Sequence, residues 1–192
     1  MKFLEKDKLE NKLTKKVKSI GILGGTFDPA HLGHVKLSST ARKKFKIDEI
    51  IWAVTKKNPF KNKSSKNLKQ RIYQAKKLVR DKKFIKVKYY EDKIKSNKTY
   101  NLVRYLKKNN KNSELIFLMG ADNLINFHKW FKWREISLNC KILVFDRDGY
   151  KANSLKSVSF KRLNKKNLKF VRFKKVNISS SKLRKIWYGY FN

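Results

Sequence analysis

Apolar residues along this chain gather in short continuous runs at 17–23, 49–54, 115–119, 141–145 and 168–173, and 84–90 alternates, with Ile85, Val87 and Tyr89 on one face. Runs of this length bounded by polar residues predict strands. Between them the apolar positions recur at helical spacing. Leu37, Ala41 and Phe45 form one stripe, Leu68, Ile72, Ala75 and Val79 a second, and Leu102, Val103 and Leu106 a third. Residues 124–136 and 180–188 also read as helices, 55–67 as a polar loop with one proline, and 151–167 as polar with no clear period. Alternation of strand and helix predicts an α/β fold, a doubly wound parallel sheet flanked by helices on both faces. No internal repeat or interior boundary breaks the pattern, so residues 19–192 read as one domain behind a Lys-rich extension at 1–18. In such sheets ligands bind at the carboxyl ends of the strands.

Composition adds a charge problem. The 192 residues are 40% hydrophobic, enough for one ordinary core, yet 51 Lys and Arg face only 14 Asp and Glu, a formal net charge of +37. Such a charge suits a nucleic-acid binder. However, 42 of the 51 are lysine and they are scattered through nearly every segment, among many asparagines. Dedicated phosphate and base recognition favours arginine forks. The charge therefore reads as compositional bias that steers anionic ligands, with no specific nucleic-acid partner. The single cysteine, Cys140, lies in an apolar run, which rules out an internal disulfide framework and fits a reducing, cytoplasmic setting. No apolar run reaches membrane-spanning length, and 1–16 lacks the apolar core of a signal, so no membrane association is expected.

The candidate chemistry concentrates where the first strand hands over to the first helix, in Gly24-Gly25-Thr26-Phe27-Asp28-Pro29-Ala30-His31-Leu32-Gly33-His34. Free backbone N–H groups and the positive end of a helix at such a junction can hold phosphates. Glycines let the backbone approach a ligand closely. His31 and His34, three apart, point the same way on a first helical turn. A strand–turn–helix whose histidines merely cap the helix is the alternative reading. Further along, Gly120 and Asp122 follow the fourth strand, with Trp130 beyond them. Asn58-Pro59-Phe60-Lys61 follows the second strand, and Lys98-Thr99-Tyr100-Asn101 opens the third helical stripe. Arg147-Asp148-Gly149-Tyr150 follows the fifth strand, and Ile178-Ser179-Ser180-Ser181-Lys182-Leu183-Arg184 opens the last helix. Hydroxyls and N–H groups at a helix start, with an arginine one turn on, suit a phosphate. For Thr99 and Asp122, simple helix capping is the plainer alternative.

The eleven-residue string resembles the nucleotide-binding signature of the nucleotidylyltransferase superfamily, with its His-x-Gly-His tetrad. In full form it is most similar to the nicotinate-nucleotide adenylyltransferases. The resemblance runs from about Ile20 to Arg184 and implies a Rossmann-like fold. By that resemblance ATP is held by Gly24, Gly25, Thr26, Phe27, His31, His34, Gly120, Asp122, Ile178, Ser179, Ser180 and Arg184, with His31, His34 and Arg184 stabilising the reacting phosphates. The mononucleotide would meet Lys61, Thr99, Trp130 and Arg147, with Trp130 stacking on the pyridine ring. Three segments depart from the family pattern. Phe60 replaces a Pro-His pair, Lys98 and Asn101 stand where the family has Tyr and Asp, and Asp148 replaces a proline. The implied reaction is adenylyl transfer from ATP to nicotinate mononucleotide, giving nicotinate adenine dinucleotide and pyrophosphate in NAD biosynthesis. Mg²⁺ would be carried on the ATP phosphates, with no metal site of the protein's own. A sister adenylyltransferase, such as one acting on phosphopantetheine, and a basic RNA-binding protein on the same fold are the alternatives. Acid-versus-amide preference and homo-oligomer formation stay open.

Overall fold

The computed structural model describes residues 17–57, 67–146, 149–173 and 183. Six strands form one parallel sheet: β1 (Lys18–Gly25), β2 (Glu49–Val54), β3 (Ile85–Tyr89), β4 (Ser113–Gly120), β5 (Lys141–Phe145) and β6 (Leu168–Val171). Their spatial order is β3-β2-β1-β4-β5-β6, the doubly wound order in which β1 and β4 lie side by side at the reversal. The central strands are near-continuous apolar runs because both of their faces are covered. On one face Trp52, Val54, Ile116, Leu118 and Leu143 pack against α1 (Leu32–Phe45) and α2 (Leu68–Leu78), which contribute Ala41 and Ala75. On the other, Ile22, Phe117, Met119, Ile142 and Val144 pack against α4 (Thr99–Asn109), α5 (Ala121–Ile125) and α6 (Trp133–Asn139). The edge strands β3 and β6 expose Lys86, Lys88 and Lys169, charges that discourage pairing with another chain.

The strand expectations match the observed sheet to within a residue or two at each end. One helical expectation needs correction, and helices appear in two places where none was assigned. Residues 124–136 are not one helix. They comprise the end of α5, a 3₁₀ turn at Phe127–Lys129 and the start of α6, with Lys132 in the left-handed region at φ 49°. Packing overrides helical period here: Phe127 is fully buried and takes both Trp130 and Trp133 edge-on, at ring separations of 5.2 and 6.0 Å. The polar stretch 151–167 holds two short helices, α7 (Lys151–Lys156) and α8 (Val158–Arg162), anchored by the buried hydroxyls of Ser154 and Ser159. A four-residue helix, α3 (Glu91–Ile94), follows β3 where no helix was expected. The helix expected at 180–188 lies outside the described residues apart from Leu183, which is helical, and the extension at 1–16 lies outside them too.

Gly21 marks how tightly β1 is held. A Cβ built there would stand 3.0 Å from Ile50 Cγ1 and 3.4 Å from Ile47 Cγ2, and both isoleucines are buried. Gly21→Ala should therefore destabilise the fold by about 1–3 kcal/mol through overpacking, outweighing the backbone-entropy gain. A urea titration with unchanged slope and a lower midpoint is the expected result.

Candidate active site

Strand β1 ends at Gly24 and Gly25, and β4 ends beside it at Gly120, so the two carboxyl ends open one crevice at the reversal of strand order. Unlike Gly21, neither Gly24 nor Gly25 is demanded by packing. A Cβ at Gly24 would meet only Phe117 Cζ at 4.0 Å, and one at Gly25 only the Phe27 ring at 3.5 Å or more. The loop between β1 and α1 is anchored from below. Phe27 adopts φ 47° and is 2% exposed, its ring stacked on Trp52 at 4.9 Å and 12° and tilted against His34 at 4.9 Å. Trp52 is itself fully buried, and its Nε1–H donates to Ser38 Oγ at 2.9 Å. The Phe27 side chain thus belongs to the core, and what it can offer a ligand is its backbone.

Both motif histidines cap α1. His31 is the N-cap, and its Nδ1 accepts the Gly33 N–H at 3.1 Å. His34, at the third helical position, reaches back so that its Nδ1 accepts the His31 N–H at 3.2 Å. This is a capping box built from two imidazoles instead of a hydroxyl and a carboxylate. It has a chemical consequence. A neutral imidazole whose Nδ1 accepts must carry its proton on Nε2. The box therefore sets both tautomers, with the proton of each ring on Nε2 and the two ring centroids 4.0 Å apart at a positive helix end. The helix-capping reading of the motif is structurally real, and it engages Nδ1 of each ring.

The remaining candidates divide. Gly120 is the N-cap of α5, without a side-chain cap, and Asp122 sits in the first turn of that helix; Asp122 is therefore not the cap that the plainer reading supposed. Likewise the N-cap of α4 is Lys98, so Thr99 is the first helical residue rather than the cap. Tyr100, next to Thr99, meets Phe131 edge-on at 5.9 Å, while Trp130 packs edge-on against Phe117 at 6.1 Å. The start of α4 and the Trp130–Phe131 segment are thus brought together on one face of the sheet. Gly149 has φ 83°, the left-handed turn position that suits glycine. Lys61, Arg147, Ile178, Ser179, Ser180 and Arg184 lie outside the described residues.

Sequence reasoning missed Arg71. It lies on α2, 1% exposed, among the largest buried side chains of the described residues. Its Nη1 donates to the carbonyl of Thr26 at 2.5 Å and to that of Thr55 at 2.9 Å, and its Nη2 to the carbonyl of Lys56 at 3.0 Å. Burial lowers its pKa from the usual arginine value, while Asp28 and Glu91 work in the opposite sense. A signal was present: Arg71 stands three residues after Leu68 and four before Ala75, inside the apolar stripe of α2, where a charge needs a reason.

Comparison with known proteins agrees with this geometry. The profile of the cytidylyltransferase-like family matches residues 22–186, so a nucleotidylyl-transfer fold is the class of protein present. The chain belongs to the nicotinate-nucleotide adenylyltransferases of that family. It is 60% identical over 93% of its length to a probable nicotinate-nucleotide adenylyltransferase of Pelagibacter ubique, of which it covers 99%. It is 38% identical over 72% of its length to one of Agrobacterium fabrum, covering 74% of that protein. Among solved structures, the nicotinic acid mononucleotide adenylyltransferase of Plasmodium falciparum complexed with APC superposes with a TM-score of 0.70 at 22% identity, covering 88% of this chain and 83% of that one. That likeness speaks to the fold.

Capping by His31 can be tested apart from the phosphate contact expected of it. Asparagine is a good N-cap but lacks a donor at the Nε2 position. His31→Asn should leave the melting temperature nearly unchanged while turnover falls on the order of 10²–10³, the typical cost of one lost donor to a transition-state oxyanion.

Proposed function

We propose that the β1–β4 crevice carries out the family's reaction with the residues named above, and that the double-histidine cap of α1 is its centre. The chain is an adenylyltransferase that joins ATP and nicotinate mononucleotide into nicotinate adenine dinucleotide, with pyrophosphate leaving. In this reading the mononucleotide phosphate attacks the α-phosphorus of ATP in line, the bond to the pyrophosphate oxygen breaks, and no covalent enzyme intermediate forms. The protein's work is positioning and charge stabilisation. The paired Nε2–H groups of His31 and His34 and the start of α1 face the charge that builds on the phosphates. Gly24 and Gly25 leave the backbone bare for a ligand. Ile178, Ser179, Ser180 and Arg184 are assigned to the departing phosphates, and Gly120 and Asp122 to the ATP nucleoside. Thr99 and Trp130 are assigned to the pyridine ring of the mononucleotide, and Lys61 and Arg147 to its phosphate. The observation that carries this reading is the capping geometry, because it presents two donors of defined tautomer at a glycine-flanked helix end.

Mg²⁺ enters as an ion carried by the ATP phosphates, where it neutralises charge on the phosphoryl oxygens. Among the described residues no group of three or more His, Cys, Asp or Glu side chains is placed to cage an ion on its own. Nor is any described helix long and apolar enough to cross a membrane. A cytoplasmic setting belongs to the proposal.

The direct test supplies ATP and Mg²⁺ with nicotinate mononucleotide, nicotinamide mononucleotide or phosphopantetheine, and separates products by chromatography. Dinucleotide from the nicotinate substrate, with none from phosphopantetheine, is expected; product from phosphopantetheine alone would overturn the reading. For the pyridine pocket, stacking on an aromatic face is worth about 1–3 kcal/mol per base. Trp130→Leu should thus raise KM for the mononucleotide roughly tenfold or more and leave KM for ATP within about twofold. Equal effects on both substrates would remove Trp130 from the pyridine site.

A further inference from the structure

The Arg71 guanidinium is directed at main chain: it donates to three backbone carbonyls, one in the β1–α1 loop and two just beyond β2. The Thr55–Lys56 segment is gripped from its other side by Glu91 of α3, whose carboxylate accepts the Thr55 hydroxyl and, at 3.2 Å, the Lys56 N–H. The Thr55 N–H in turn donates to the Gly25 carbonyl at 2.9 Å. Gly25, Thr26, Thr55 and Lys56 are therefore tied into one hydrogen-bonded unit between α2 and α3.

The carbonyl of Thr26 belongs to the same planar peptide as the N–H of Phe27. In a trans peptide the two point in opposite directions. Holding the carbonyl on Arg71 therefore turns the Phe27 N–H away from α2. The arrangement has a cost, since Phe27 sits at φ 47°, a left-handed conformation that is strained for a residue with a Cβ. Rotating that one peptide by half a turn would relieve the strain by moving φ of Phe27 out of the left-handed region, and it would reverse the N–H. Two restraints oppose the rotation: the Phe27 ring locked on Trp52, and the bond from Arg71. Only the second acts on the peptide plane itself.

We propose that Arg71, backed by Glu91, is a positioning residue for adenylyl transfer: it holds the Thr26–Phe27 peptide so that the Phe27 N–H is presented to the reacting phosphates beside His31 and His34. Arg71 touches neither substrate. Its planar fork reaches carbonyls on two separate segments at once, which the single ammonium of lysine cannot reproduce. The inference rests on the adenylyl-transfer reading of the same crevice.

The test compares Arg71→Lys, Glu91→Gln and the double variant with the parent chain, at a temperature well below the lowest melting point. Turnover is expressed per folded chain, the folded fraction being taken from circular dichroism. Arg71→Lys should lower kcat about ten- to a hundredfold, the scale set by small misplacements of reacting groups, with KM for nicotinate mononucleotide within about threefold. Glu91→Gln keeps one acceptor and loses the other, and should lower kcat less, by roughly threefold or more. Because both act on one unit, the double variant should lose little beyond Arg71→Lys alone. Turnover per folded chain within twofold of the parent for Arg71→Lys, or losses that simply multiply in the double variant, would overturn the proposal. Should Arg71→Lys fail to fold, Glu91→Gln decides alone, and parental kcat there is equally fatal. A parent chain that forms no dinucleotide removes the functional reading and this inference together, whereas an active parent with an indifferent Arg71→Lys removes only the inference.

Discussion

Everything at the active end of this molecule follows from β1 pairing in parallel with two neighbours that the chain reaches in opposite directions. After β1 the chain crosses through α1 to β2 on one side. After β3 it returns through α4 to β4 on the other. Right-handed crossovers put those helices on opposite faces, so the carboxyl ends of β1 and β4 have no connection passing over them. Gly24, Gly25 and Gly120 are where that gap begins. A residue at the end of either strand can meet a ligand, whereas Ile22 or Phe117, a few positions earlier, can only pack. The same pairing explains why Gly21 stays small in the middle of β1: its neighbours on the sheet already fill the space a Cβ would need.

A backbone loop at such a gap would be loose without help, and the help comes from groups whose chemistry is divided between two tasks. His31 and His34 give Nδ1 to the helix, which fixes the ring proton on Nε2. Arg71 is a buried charge, which is costly to desolvate. Three carbonyls take up its donors, and the field of Asp28 and Glu91 opposes the effect of burial on its ionisation. Removing one partner from such a group costs more than the bond itself, because the remaining charge stays buried. The loop geometry is therefore held cooperatively, and its two kinds of anchor, imidazole and guanidinium, approach it from different helices.

Periodicity made the sheet legible. The buried runs of β1, β2, β4 and β5 could be little else, and the glycines and histidines at the first junction pointed to the family that the comparisons show. What stayed hidden was decided by long-range packing. The two indole rings around Phe127 break a stretch that has helical spacing, because the edge-to-face contacts of Trp130 and Trp133 with Phe127 outweigh the local preference. The short helix at Glu91 is invisible to a period of 3.6 over four residues, yet its first side chain reaches back across the sheet to Thr55. Arg71 was overlooked for a related reason. One arginine among so many basic residues reads as surface charge, and only its place within an apolar stripe set it apart.

The scarcity of acids shapes the surface as well. With 14 carboxylate side chains to 51 cations, most positive groups have no ion-pair partner available. Among the described residues, aromatic faces take up part of that role. Arg42 lies 4.5 Å over Phe84, Arg134 4.8 Å over Trp133, Lys165 3.6 Å over Phe160, and Lys132 and Arg104 approach Tyr100 at 5.2 and 5.7 Å. A cation over a ring keeps its charge and its solvation on one side, so the pairing holds the side chain without cancelling its field. An ion pair would cancel it. The positive potential of the chain thus survives at the surface, where it raises the local concentration of anions such as nucleotides. Charge alone does not capture one anion in place of another, and in the proposed reading that choice falls to directed donors in the crevice. On that reading the restraint on the β1–α1 loop matters more to selectivity than the number of lysines around it.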